Sequence, residues 1–248
     1  MQDYLNRIGF DAPVVQDLAT LSGLQAAHMT AVPFENIAVW RGETVTTDEA
    51  WSIPKIVERG QGGWCFELNG AFAALLESLG FTVHRLGAAV LLDGPTQVVD
   101  HVALEVVLDE PYLVDVGFGE SFIKPLRLND RGPQDGGSGW FQLIDSSQGL
   151  TLTVLDGDVP GAGTPVPQYR FRRVAHEMTD FVEASNRLRD DKTLRWSTKP
   201  FATRLIDGGP ERVTLLSDRL KYHGGSQTAE TPVSAEEWEG QLASLFRL

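Results

Sequence analysis

The stretch Arg59-Gly60-Gln61-Gly62-Gly63-Trp64-Cys65-Phe66-Glu67-Leu68-Asn69-Gly70 constrains this chain more than any other. Glycines crowd the approach to the one cysteine among 248 residues. After it, Leu68, Phe72, Leu75, Leu76 and Leu79 recur at the spacing of one helical face. The pattern predicts a buried helix with Cys65 at, or one turn inside, its N-terminus. The free N–H groups and positive dipole end found there favour a thiolate over a thiol. The glycines let another backbone or a substrate come close. A lone cysteine is more often a small buried apolar residue. A nucleophile also needs a base within reach and a third group to orient that base.

A content of 42% hydrophobic and 22% charged residues is that of an ordinary globular chain with a sizeable core. One cysteine permits no internal disulfide, which suits a reducing compartment. The formal net charge of -13 argues against nucleic acid or an anionic membrane as a partner. No apolar run is long enough for a membrane span. The residues from Met1 to Arg7 lack the basic-then-apolar order of a signal peptide. The expected location is the cytoplasm.

Residues 1 to 80 read as helical. Tyr4, Leu5 and Ile8, then Leu18, Leu21 and Leu24, keep helix spacing, with Pro13 as a break. Val32-Pro33-Phe34-Glu35-Asn36 interrupts with an extended piece, since proline pushes its predecessor out of the helical region. Thr47-Asp48-Glu49 offers a cap for a further helix, with Pro54 in its first turn and Gly60 as its stop. From Phe81 to about Val174 the pattern changes to strands. They are expected over 83–92, 101–108, 112–116, 141–144, 150–155 and 169–174, with long loops at 129–139 and 156–168. Strands this close in sequence predict an antiparallel sheet or barrel. Beyond lie a helix over 178–188, strands over 201–206 and 213–220, and a last helix capped by Ser234.

Five histidines are available. His28 lies in a polar-looking segment, and His84 falls early in a strand. His176 and His223 read as exposed. His101 opens a strand just after a turn, where a side chain projects from a sheet edge while its backbone is fixed. Asp115 lies in Tyr112-Leu113-Val114-Asp115-Val116-Gly117-Phe118-Gly119, an otherwise apolar strand ending in glycines. A carboxylate buried there is costly unless paired, and an imidazole N–H is one suitable partner. If 101–108 and 112–116 form a hairpin, His101 and Asp115 lie near its open end, roughly opposite each other. Alone, His101 reads slightly better as a capping or surface residue, and Asp115 reads equally well as a member of a structural ion pair. With Cys65, they favour covalent catalysis by a thiolate. The scattered histidines give no zinc-ligand spacing, so no metal is expected. Gly117-Phe118-Gly119 lacks the spacing and the Lys-Ser/Thr of a phosphate loop.

These residues resemble the arylamine N-acetyltransferase family. The match runs through Tyr4-Leu5-Asn6-Arg7-Ile8-Gly9-Phe10, Val32-Pro33-Phe34-Glu35-Asn36, Gly62 to Asn69, His101 with Leu104, and Val114 to Gly119. Weaker similarity continues through Asp180-Phe181 and Asn186 to Phe201. The resemblance implies an α+β fold with a papain-like core: a helical domain over 1–80, an antiparallel β-barrel over 81–175 and an α/β lid over 176–248. It implies a Cys-His-Asp triad at Cys65, His101 and Asp115. It further implies ping-pong chemistry, in which acetyl-CoA acylates Cys65 and an arylamine, arylhydrazine or N-hydroxyarylamine then takes the acetyl group. Phe34, Phe118 and Phe201 look like the aromatic wall of the acceptor pocket, with Gly119 beside them.

Two departures stand out. The family usually has arginine four residues before the cysteine, where this chain has Gln61. If that arginine braces the loop, either Arg59 replaces it or the loop is looser. The chain also ends earlier than many relatives, at Leu248. Both leave room for a second reading, an amide synthase of the same family that closes macrolactams without CoA. A thiol hydrolase or transglutaminase-like enzyme uses the same triad. A binding protein with an inert thiol is the non-enzymatic alternative.

Overall fold

A computed structural model describes residues 2–159, 161–224 and 227–248. Helices come first: α1 (Gln2–Ile8), α2 (Leu18–Ala31), α3 (Ile37–Arg41), α4 (Glu49–Val57) and α5 (Cys65–Ser78). The Pro33 segment yields a two-residue strand, β1 (Phe34–Glu35), between α2 and α3. Asp17 caps α2 by accepting from Thr20 N at 2.8 Å, and Asp48 caps α4 by accepting from Ala50 N at 2.9 Å. Because the cap is Asp48, Pro54 falls in the interior of α4 and not in its first turn as expected. Eleven of the fourteen residues of α5 are buried. A helix buried on nearly every side sits at the centre of a core, so the single apolar face read from its leucines understates its position.

Eight antiparallel strands follow: β2 (Thr82–Val90), β3 (His101–Val107), β4 (Pro111–Val114), β5 (Leu126–Arg127), β6 (Gln134–Asp135), β7 (Trp140–Ser146), β8 (Gly149–Val159) and β9 (Ala162–His176). They pair in the order β5-β4-β3-β2-β9-β8-β7-β6. The two edges approach each other, and Gln134 links them. Its amide accepts from Arg127 N at 2.8 Å and donates to Arg127 O at 3.1 Å, so the sheet is a nearly closed barrel. On β3 the two-residue period sorts side chains between two cores. Val102, Leu104 and Val106 pack with α5, whereas Ala103 joins Leu113, Phe141 and Tyr169 inside the barrel. The expected loop at 156–168 is instead the far end of a long β8–β9 hairpin, which turns through Gly161 at φ 71°. Its glycines and prolines imitate a loop in the sequence, but Pro165 and Pro167 lie on a strand paired on one side only there.

The chain then forms a single turn of 3-10 helix (Met178–Phe181), α6 (Val182–Asp190), α7 (Arg195–Thr198), strands β10 (Ala202–Leu205), β11 (Arg212–Leu215), β12 (Arg219–Gly224) and β13 (Gln227–Pro232), and α8 (Ala235–Phe246). The strand expected over 213–220 is two strands, because Leu216 N donates to Arg219 O at 2.8 Å and reverses the chain. The second sheet runs β1-β10-β11-β12-β13, so a strand from the helical region completes it. Trp238, Leu242 and Phe246 of α8 cover it.

Candidate active site

Cys65 is the first residue of α5, with Trp64 as its cap residue. The close approach that places it is made by glycine. A Cβ on Gly117 would lie 2.8 Å from Cys65 Cα and 2.9 Å from Asn69 Nδ2, so only glycine lets the chain after β4 lie against the helix start. The buried thiol sits 3.9 Å from the Asp100 carbonyl oxygen, at the entry to β3.

The β3–β4 hairpin forms, with Leu104 opposite Val114, and its open end carries His101 and Asp115. His101 Nε2 lies 2.7 Å from Asp115 Oδ2, and both side chains are almost fully buried. The other carboxylate oxygen, Oδ1, accepts from Asn69 Nδ2 and from Gly117 N, each at 2.9 Å. Burial disfavours charge on His101. The Asp115 carboxylate and the Cys65 sulfur beside the ring outweigh that penalty and push its pKa up to about 10. The imidazole is therefore a cation at neutral pH, held between a carboxylate and the sulfur.

Asn69 was not singled out by sequence reasoning, although it lies in the cysteine stretch. Its side chain donates to Val102 O at 2.7 Å as well as to Asp115, and accepts from Val116 N at 3.0 Å. It thus ties α5 to β3 and to the chain just past the end of β4. Its only signal is its place four residues after Cys65, on the same helix face. Tyr169 was also missed. Its ring packs 5.1 Å from His101 and 5.0 Å from Phe118. Burial and the Asp115 charge keep its hydroxyl protonated.

A small pocket opens over the sulfur, lined by Phe34, Trp64, Cys65, Val90, Asp100, His101, Gly117, Phe118, Leu188 and Trp196. Phe34 and Phe118 therefore face it. Phe201 packs behind Phe34, at 5.3 Å between rings, and against Trp196 at 5.2 Å. Gly119, at φ 90°, lies under the Phe34 ring, which a Cβ would meet at 3.1 Å. Phe118 also borders a larger cavity of about 660 Å³, which reaches Ser121, Arg212 and His223.

The remaining histidines lie elsewhere. His28 is fully buried, contrary to its polar-looking setting in the sequence, and pairs with the Tyr4 hydroxyl at 3.3 Å. His84, His176 and His223 face Glu105, Asp180 and Glu120 at 3.3–3.8 Å. Arg59 does not brace the cysteine loop, since its guanidinium lies 4.7 Å from the centre of the Trp51 ring. The buried cation beside that loop is Lys55. Among the described residues no helix is long and apolar enough to cross a membrane.

Residues 17–248 match the model of the N-acetyltransferase family. The chain is 41% identical over 139 residues to an arylamine N-acetyltransferase of Mycolicibacterium smegmatis, a match covering 52% of this chain and 50% of that protein. It is 36% identical over 154 residues to the pineal gland isozyme NAT-3 of Gallus gallus, covering 59% and 53%. These matches thus span about half the length of those relatives. The fold matches the arylamine N-acetyltransferase of Mycobacterium marinum in complex with CoA at a TM-score of 0.90 and 28% identity, covering 99% of this chain and 92% of that one. From its family-model match and its fold, this chain belongs to the arylamine N-acetyltransferase family.

Proposed function

We propose that this chain is an arylamine N-acetyltransferase, which moves an acetyl group from acetyl-CoA to Cys65 and then to an arylamine, arylhydrazine or N-hydroxyarylamine. The observation that carries this reading is the 2.7 Å contact of a buried His101 with a buried Asp115, in the pocket that holds the sulfur of Cys65. The three residues act as a Cys-His-Asp triad. Asp115 holds the ring and its positive charge, and the ring holds Cys65 as a thiolate.

Cys65 attacks the thioester carbonyl of the donor. The carbon–sulfur bond to the leaving thiol breaks, and His101 gives that thiol its proton. An acetyl group remains on Cys65. The amine then attacks this new thioester, His101 takes the amine proton, and Cys65 leaves as the thiolate. First-turn N–H groups of α5 have no intrahelical partner and are suited to the negative oxygen of each tetrahedral stage. Phe34, Phe118 and Trp196 favour a flat aromatic acceptor in the pocket. The 660 Å³ cavity beside Phe118 suits an anionic donor. Its Arg212 is buried and has one guanidinium nitrogen without a partner. Burial lowers Arg212 to about 10, which still leaves it a cation at neutral pH.

The division of labour follows the chain. Residues 1–80 supply the nucleophile, 81–175 the histidine and aspartate, and 176–248 cover the pocket. The single free cysteine suits a reducing, cytoplasmic setting.

Steady-state rates with acetyl-CoA and an arylamine, both varied, test the reading. Parallel double-reciprocal lines are expected. Intersecting lines would contradict the acyl-enzyme. Transfer from a carrier-bound acyl thioester but not from acetyl-CoA would assign the chain to macrolactam-type amide synthesis instead.

A further inference from the structure

Beside the first turn of α5 lies a buried charge cluster that acyl transfer leaves unused. Lys55 Nζ of α4 is 2.7 Å from Glu67 Oε2 of α5 and 3.9 Å from Glu35 Oε1 of β1. None of the three side chains is more than 5% exposed. The cysteine loop clasps the cluster. Glu35 N donates to Gly63 O at 2.9 Å. A Cβ on Gly62 would lie 2.8 Å from Glu35 Cγ, and one on Gly63 would lie 2.7 Å from Glu67 Oε2.

The charges do not balance. Two carboxylates share one ammonium. Glu35 has the Ile37 N–H besides Lys55, but Glu67 Oε1 has no hydrogen-bond partner. No other cation reaches them among the described residues. Arg7 gives its three nitrogens to the carbonyls of Ile56, Ala31 and Gly60. Arg59 lies on Trp51, and His101 is engaged by Asp115. The further charged neighbour, Glu43, is another acid and disfavours charge on Glu35. A surplus negative charge in this interior is costly, and the ordinary remedy is a bound proton.

We propose that Lys55 is a positioning residue for Cys65, and that the Glu35–Lys55–Glu67 trio holds one proton on its carboxylates, so that the turn carrying the nucleophile rests on a neutral cluster. This rests on the reading of Cys65 as the nucleophile. Burial pushes Glu67 up to about 7 against the pull of Lys55, and burial also raises Glu35. The proton therefore leaves near neutrality. Its loss adds a negative charge two residues from Cys65, which disfavours a thiolate there.

The test is the rate of Cys65 alkylation by iodoacetamide against pH, with infrared spectra of the same samples. The wild type is expected to show an inflection near pH 7 and a protonated-carboxyl band that fades through the same range. Glu67→Gln leaves one carboxylate for one ammonium, and both features should vanish. Lys55→Met removes the ammonium that favours ionisation. It should move the inflection up by about one pH unit and slow plateau alkylation by about tenfold, with Lys55→Arg restoring both. Should Glu67→Gln fail to fold, Glu35→Gln removes the same surplus charge. An inflection that survives either glutamine variant, or a neutral-pH spectrum with no carboxyl band that these variants remove, overturns the proposal. Absent acetyl transfer with these pH effects intact would sink the functional reading alone.

Discussion

His28 and His101 are both buried, and their environments drive them in opposite directions. His28 has the Tyr4 hydroxyl and the edge of the Phe72 ring beside it, and burial pushes it down to about 3. His101 has Asp115 and Cys65, which lift it to about 10 despite burial. The stability consequences therefore differ in sign. A histidine lowered in the fold stabilises above its ordinary value of 6.5, and that stability is lost as pH falls towards 3. One raised in the fold stabilises fully below 6.5, and loses the contribution as pH rises through 10. Acid unfolding is expected to steepen by about 1.4 kcal/mol per pH unit below 6.5 from His28 alone. His28→Gln should flatten that limb, as read from melting temperatures across pH. Asp115→Asn keeps the shape of the side chain but removes the charge that holds the imidazolium. It should lower transfer by about ten-thousandfold while the far-UV spectrum stays unchanged.

At the scale of elements, the site depends on how closely the start of α5 meets the end of β4. Gly117→Ala would force a Cβ into Cys65 Cα, with backbone on one side and Asn69 on the other. A loss of about 1–3 kcal/mol in denaturant unfolding is expected, together with most of the activity. A variant of full stability and activity would mean that the chain can part from the helix start at little cost. Asn69→Ala would leave the Val102 carbonyl, the Val116 N–H and one Asp115 oxygen each short of a partner, at a cost of about 2–4 kcal/mol.

Much of this level was legible in the sequence. The glycine-cysteine stretch places the helix start, because glycine before an apolar 3.6-residue period has few other readings. The apolar strand interrupted by Asp115 marks a paired carboxylate, because an unpaired one is too costly to bury. Asn69 was not legible, since a polar residue on a helix reveals its partners only when the strands are in place. The β8–β9 hairpin was hidden because the Pro and Gly of 156–168 read as a turn. They mark instead a part of the sheet where no third strand needs an N–H from the proline positions. Lys55 was hidden as well, since nothing local says that a helical lysine points inward.

Besides the apolar core that α5 shares with β3 and with Phe181 and Leu188, a few polar ties join parts of the whole molecule. Gln134 joins the barrel edges. Asn36 donates to Trp196 O at 2.6 Å and Lys199 O at 2.9 Å, and accepts from Phe201 N at 2.9 Å. These bonds fix the segment that carries Trp196 over the pocket. Asn36→Ala should speed amide hydrogen exchange over 194–201 and raise KM for the acceptor more than it lowers kcat; unchanged exchange would show that apolar packing alone holds the segment.

Acetyl transfer by this protein requires a covalent acetyl group at one sulfur. Intact-protein mass spectrometry after incubation with acetyl-CoA, with no acceptor present, reads this directly. The expected result is the gain of one acetyl group on Cys65, absent in Cys65→Ser and discharged on adding an arylamine. An unmodified protein, or an acetyl group retained by the Cys65→Ser variant, would contradict it.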